Sequence, residues 1–462
     1  MKNKLILILA LAIGLIFRLY QYPDRFAYGH DSDLAGWVIK DIIVDKHPRL
    51  IGQLTSSPGI FIGALYYYIQ IPFYWLSNMD PIGVFWLAAL TGVISIVSMW
   101  YVAGPIASFI FAGSWLIANT ERDVFPTTPV FLWSIWFFHV FARLWQGDKR
   151  WLYAAAILIA LIWHLNLALV FGVPFLVLAV WRHFKSYTFR DLVLPLLLCL
   201  ILNLPLIVFE IKHGFGQTKS LVSTLSSKSE KHYKFDQVIK YSLKNANRVF
   251  IDDNSQINSW LIPGILTMGI MVLSPWRWFI FTWMTLVISF FSINSLPISE
   301  YYLNSFTIVW ILAVTWILKK IPQWTMLIVL LVFVIHNLFR MLAYESNHAG
   351  YVERKAIVEY IKQDAAAHNY PCIAISYITS VGNDLGYRYW FWLNGMKVMR
   401  PDSLAPVYSI VFPHSLVNKI DKSFGSLGLI FPDYSRYNKE GIAKSCSLPD
   451  QNLTEPMFGF TK

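Results

Sequence analysis

Two carboxylates, Asp31 and Asp33, flank Ser32 shortly after the apolar run of residues 5–20. An amphipathic stretch follows, and after it an aromatic one that contains Leu65-Tyr66-Tyr67-Tyr68 and Pro72-Phe73-Tyr74. This order puts acid groups at a membrane–water boundary beside lipid-facing surface. A carboxylate there can take a proton from a group carried on a lipid. The same residues also read as a solvated loop, or as the N-cap of the next helix, a position that Asp and Ser favour.

Whatever positions these carboxylates must be embedded in lipid. Of the 462 residues 56% are hydrophobic and only 14% charged, more apolar surface than a soluble core can hide. The net charge of +11 implies no nucleic-acid partner, because the basic residues sit in short loops between apolar runs, where they set orientation. The three cysteines have no metal-binding spacing, and Cys199 lies inside an apolar run.

Lys2 and Lys4 precede the first run, which no small-residue cleavage site follows, so it reads as an uncleaved span. Further spans are expected at 82–102, 105–119, 128–145, 151–166, 167–181, 191–209, 259–273, 276–292, 302–319 and 323–341. The run Ile60–Leu76, with Gly63 and Pro72, reads either as a span or as an interfacial helix. Taken as interfacial, it leaves Lys149, Arg150, Arg182, Lys185, Arg190, Arg277, Lys319 and Lys320 on the same cytoplasmic side as Lys2 and Lys4. Eleven spans with the N-terminus inside and the C-terminus outside satisfy every short loop. The long loop 211–258, with eight Lys or Arg against four acids, lies outside in this topology.

The chain divides into a membrane part, residues 1–343, and a tail, 344–462, of ordinary polarity. Residues 350–368 have a helical period, and 372–377, 388–393 and 427–431 read as strands, giving a small α+β extracytoplasmic domain. In an oxidising compartment Cys372 and Cys446 are candidates to pair.

The first loop carries, after the acidic pair, Leu50-Ile51-Gly52, Thr55-Ser56, Pro58-Gly59, Gly63, the tyrosine run, Pro72-Phe73-Tyr74 and Asp80-Pro81. A second dense stretch runs from Leu204 through Glu210 to Phe215. Both resemble the GT-C glycosyltransferases, polytopic enzymes that take sugars from polyprenyl-phosphate carriers. The likeness is greatest to the bacterial branch related to protein mannosyltransferases and lipid A aminoarabinose transferases.

The resemblance implies an inner-membrane enzyme that moves a sugar from a polyprenyl-phosphate donor to a lipid, glycan or protein acceptor, with inversion. It implies Asp31 as general base, with Asp33 and Glu121 as further catalytic candidates. Glu121 stands where the family usually has Ser, and Phe125-Pro126 replaces its Trp-Asn-Pro. Substrate-binding candidates are Tyr67, Arg122, His164, Lys212, His213, Tyr301 and Tyr302. Lys219, Lys228, Lys231, Lys234 and Arg248 of the basic loop join Lys212 as candidates to hold the carrier phosphate. Related folds differ in metal use, so a divalent metal stays open, and no metal ligand is assigned. The competing reading is a transporter or lipid flippase of the same size. Apart from His139 the expected spans hold almost no ionisable group away from their ends, which favours surface chemistry over translocation.

Overall fold

The computed structural model describes residues 2–55, 57–226, 235–251, 260–293, 300–380 and 384–453. The first apolar run forms α1 (Lys2–Leu19), followed by α2 (Tyr22–Arg25) and α3 (His30–Ile43), whose first turn holds both carboxylates. An antiparallel ribbon of β1 (Ile51–Leu54) and β2 (Phe61–Gly63) leads into α4 (Leu65–Leu76). The bundle continues with α5 (Val84–Ala103), α6 (Pro105–Ala112), α7 (Trp115–Arg122), α8 (Val130–Trp145) and α9 (Leu152–Leu165). Then come α10 (Val173–Arg182), α11 (Phe189–Leu202), α12 (Leu204–Lys212), α13 (Gly216–Ser226) and α14 (Phe235–Phe250). It closes with α15 (Leu261–Leu273), α16 (Arg277–Ile293), α17 (Asn304–Leu318) and α18 (Gln323–Ala343).

Each stretch expected to span is helical, but several are broken. Among the described residues three helical segments are long and apolar enough to cross a membrane alone: 81–103, 300–318 and 323–343. The bent pair α11–α12, turned by 62°, makes a fourth. The breaks are chemically closed. Where α6 gives way to α7, the Trp115 amide donates to Asn337 Oδ1 at 2.9 Å, satisfying a donor that a helix start leaves open. Where α11 gives way to α12, the Leu202 carbonyl accepts from His164 Nε2 at 3.1 Å. The ambiguous run Ile60–Leu76 is neither a span nor one helix: it is β2 followed by the 12-residue α4, roughly 18 Å long against a ~30 Å hydrocarbon core.

The bundle has two chemically different ends. At one, Lys149 pairs with Asp191 at 3.1 Å, and His183 Nε2 lies 3.0 Å from the Trp145 carbonyl, bringing the basic short loops together. From there α9 runs its 14 residues to His164, whose ring packs against Gly63 of the ribbon. The acidic first loop therefore sits across the bundle from the short basic loops.

Beyond α18, α19 (Tyr351–Ala367) precedes β3 (Ile373–Thr379), α20 (Arg388–Leu393), β4 (Val398–Met399) and β5 (Val407–Phe412). The chain then forms β6 (Lys422–Phe424), β7 (Leu427–Ile430) and α21 (Lys439–Cys446). The sheet order is β4-β3-β5-β7-β6, with β3 parallel to both neighbours and β7 antiparallel to both of its own. Two of the three expected strands are present. The third, Arg388–Leu393, is helical: its aromatic run has β propensity, but Tyr389, Trp390 and Phe391 are buried against α3 and its neighbours, and that packing decides. Cys372 and Cys446 form a disulfide, with Cα atoms 5.5 Å apart.

The tail docks on the first loop without a gap. Gly36 faces the Tyr389 ring so closely that a Cβ there would lie 2.8 Å from Cγ, and the Tyr389 hydroxyl donates to the Met79 carbonyl at 2.6 Å. Asp80 accepts from the Tyr351 hydroxyl (2.8 Å) and from Lys355 Nζ (2.7 Å).

Candidate active site

A cavity of about 1040 Å³ opens where α3, the ribbon, the end of α9, α13 and the end of α16 converge. Its walls are mostly apolar, with Leu54, Ile60, Phe171, Phe290 and Phe291 among them. Among its polar lining groups are His30 and Asp31 from the first turn of α3, Gln53 from β1, and Asn166 from the turn after α9. Tyr301 and Tyr302 also line it, their hydroxyls 3.3 Å apart. A large apolar space with a few converging polar groups is the usual form of a ligand site.

Asp31 is half-buried, and burial pushes its carboxyl above the ordinary carboxylate value, opposed by the neighbouring His30. The amide ends of α3 favour negative charge at this first turn. A carboxyl raised by burial is a better proton acceptor when ionised, which suits a general base.

Asp33 does not face the cavity. It is 6% exposed; Oδ1 accepts from the Tyr28 hydroxyl (3.0 Å) and from the Tyr389 amide (3.1 Å). Burial raises it to about 6, against the pull of those bonds and of Arg354 and Arg388. Two residues of helical pitch separate a cavity group from a docking group, since i and i+2 point to different sides of a helix.

Glu121 is fully buried and bonded to Arg18 Nη2 at 2.5 Å and Nε at 2.7 Å. Arg122 is buried beside Tyr22, whose hydroxyl donates to the Arg122 carbonyl at 2.8 Å. Neither lines the cavity. His164 is wedged between Gly63 and the α11 break and is not one of the lining residues, although Trp163 and Leu165 on either side of it are. Tyr67 is fully buried under β1, its hydroxyl donating to Gln53 Oε1 at 3.1 Å. Burial, and then the negative charge of Asp31, hold its phenol above the ordinary value, so it stays a donor. His213 stacks on Phe209 with ring centroids 4.1 Å apart, and Lys212 is exposed on α12.

Of the predicted site residues, then, the structure brings Asp31, Tyr301 and Tyr302 to one cavity, with Tyr67 one bond behind. Lys219 is exposed on α13, Arg248 pairs with Glu300 at 2.6 Å, and Lys228, Lys231 and Lys234 lie outside the described residues. The sequence reading passed over His30, Gln53 and Asn166. His30 adjoins Asp31, and Gln53 falls between Gly52 and Thr55, inside the stretch already singled out. Among the described residues no three His, Cys, Asp or Glu side chains converge as metal ligands.

No known protein family and no curated protein matches this chain. Among solved structures, ArnT from Cupriavidus metallidurans bound to undecaprenyl phosphate is similar over 93% of this chain and 98% of that one, with a TM-score of 0.59 at 12% identity. The same protein in the apo state gives 0.60 at equal identity and coverage. At 12% identity the likeness is one of fold. The shared fold agrees with the polytopic helical architecture and small C-terminal α+β part expected from the sequence.

Proposed function

We propose that this chain is a multi-pass inner-membrane glycosyltransferase that moves a sugar from a polyprenyl-phosphate carrier to an extracytoplasmic lipid, glycan or protein acceptor. The observation that carries this reading is the apolar-walled cavity of about 1040 Å³ with the Asp31 carboxylate in its wall. The structural likeness to a protein bound to undecaprenyl phosphate supports a prenyl-phosphate occupant. The disulfide between Cys372 and Cys446 supports an oxidising compartment for the tail and, through its docking, for the cavity side.

In this reading Asp31 is the general base of an inverting transfer. An acceptor hydroxyl is far too weak an acid for a carboxylate to ionise beforehand. The oxygen bonds to the anomeric carbon, the bond from that carbon to the phosphate oxygen breaks, and the acceptor's proton passes to Asp31. The electron pair of the broken bond leaves with the polyprenyl phosphate. Lys244 and Arg248 both pair with Glu300, the neighbour of Tyr301 in the cavity wall, so cations stand close to where the carrier phosphate would lie.

Asp31→Asn keeps size and removes the base, a contribution of roughly 10²- to 10⁴-fold in rate. Mass spectrometry of lipid-linked sugars and surface glycans, with the parent and with Asp31→Asn, reads the effect. The expected result is donor accumulation and loss of the modified acceptor. Parent-level product from Asp31→Asn would reject the assignment.

A further inference from the structure

Tyr67 was expected to touch substrate; the structure gives it a different task. Its ring is fully buried and packs so close to Gly52 of β1 that a Cβ there would come within 2.6 Å of Tyr67 Cε2. A ring clamped in this way has one place for its hydroxyl, 3.1 Å from Gln53 Oε1. The two ends of a primary amide have nearly the same shape but opposite chemistry, so an unrestrained glutamine can offer a ligand either its acceptor or its donors. Here the oxygen is held from behind by a phenol, and Nε2 with its two protons is the end left for the cavity that Gln53 lines.

Asp31 lines the same cavity, and its charge is felt at the Tyr67 hydroxyl. An ionised carboxylate only accepts and this amide nitrogen only donates. Together they match a group that gives a proton with one hand and a lone pair with the other, which is a hydroxyl. A prenyl-phosphate oxygen has no proton to give and would be repelled by Asp31.

The geometry points to Gln53 as the residue that holds a substrate hydroxyl beside Asp31, with Tyr67 as the positioning residue that fixes which end of the amide the substrate meets. This rests on the transferase reading above. The hydroxyl belongs either to the sugar being transferred or to the acceptor that attacks it.

The test uses the purified full chain, a panel of short-chain polyprenyl-phosphate pentoses and hexoses as donors, and washed membranes from cells lacking the protein as acceptor. Gln53→Ala, the near-isosteric Gln53→Glu, Tyr67→Phe and the double variant Gln53→Ala/Tyr67→Phe are compared, with thermal unfolding to confirm that each is folded. Gln53→Ala is expected to lower kcat/KM roughly 10- to 100-fold, and Gln53→Glu at least as much, because a polar contact to substrate is lost. Tyr67→Phe is expected to cost about 3- to 10-fold in the parent background and nothing further once Gln53 is alanine, since residues acting through one another are not additive.

A raised donor KM together with slower donor hydrolysis in the absence of acceptor supports the donor sugar as owner of the hydroxyl. A raised acceptor KM with unchanged donor hydrolysis supports the acceptor. Equal losses from Tyr67→Phe in both backgrounds would mean a merely structural tyrosine and overturn the proposal. So would parent rates from Gln53→Ala, an outcome that leaves the transferase reading standing if Asp31→Asn is inactive. A parent protein that turns over no donor of the panel removes both.

Discussion

At the scale of single residues, Asp31 and Asp33 show how two identical groups are divided by two positions of a helix. Asp31 meets the cavity, whereas Asp33 is committed to Tyr28 and to the tail through the Tyr389 amide. The folded Asp33 titrates at about 6, above the 3.8 of a free carboxyl, because burial penalises its charge. A raised folded pKa means that the native state binds the proton more tightly, so stability is greatest at low pH and falls as pH rises from about 4 to about 6. The total is on the order of 3 kcal/mol. Asp33→Asn keeps the acceptor and removes the charge; it is expected to flatten this pH dependence and to be at least as stable as the parent at pH 7.5. Asp33→Ala strands the Tyr28 and Tyr389 donors and is expected to lose about 1 to 3 kcal/mol. Thermal unfolding in detergent between pH 4 and pH 8 measures all three proteins, and a slope that persists in Asp33→Asn would contradict the assignment. The same Asn variant should transfer sugar near the parent rate, in contrast to Asp31→Asn. The acidic pair was legible in the sequence because two carboxylates stood out after an apolar run. The partnership of Gln53 with Tyr67 was not, since it depends on how β1 lies over α4 and no spacing encodes that.

At the scale of elements, the first and seventh helices are joined by a contact that the hydropathy of the spans conceals. Arg18 of α1 and Glu121 of α7 are both fully buried, 103 positions apart in the chain, and Arg18 also donates to the Gly14 carbonyl at 2.9 Å. The guanidinium is packed so tightly on α5 that Gly92 has no room for a Cβ. The resemblance offered Glu121 as a catalytic candidate at a span end, whereas the structure buries it against Arg18. Pairing across the bundle is a property of how α1 crosses α7, which no local pattern records. Losing one partner leaves the other charged where water cannot reach it, typically a cost of about 3 to 5 kcal/mol. Arg18→Met and Glu121→Met are each expected to lower the melting temperature sharply, whereas the double variant should recover most of the loss. Additive losses in the double variant would mean that the two residues act separately. α20 teaches the converse lesson: RYWFWL satisfies every composition rule for a strand, yet its buried rings fill the space over α3, where a helical turn stacks them and an extended chain would not.

At the scale of the whole molecule, the chemistry depends on which face of the membrane the cavity opens to. The span order was readable because long apolar runs are local signals. The broken helices and the docking of the tail were not, because they answer to neighbours far away in sequence. The structure separates the basic loops around Lys149 from the cavity by the length of α9, and fixes the tail to the cavity side through Asp80, Lys355 and Tyr389. Any probe of the tail therefore reports on the cavity side as well. Residue 350 is a poor place for such a probe, since a Cβ on Gly350 would lie 2.6 Å from the Phe26 carbonyl oxygen; Lys362 is exposed on α19 and is a better one. In a Cys199→Ser background the remaining native thiols are joined in the disulfide, so single cysteines at 362 and 149 can be read against a silent protein. A membrane-impermeant thiol reagent on intact cells is expected to label position 362 and to reach 149 only after permeabilisation. Labelling at 149 in intact cells would turn the molecule over: the cavity would face the cytoplasm, where glutathione keeps thiols reduced, and the Cys372–Cys446 bond would not persist. Sidedness and disulfide must therefore agree, and a non-reducing mass map of the same preparation decides whether they do.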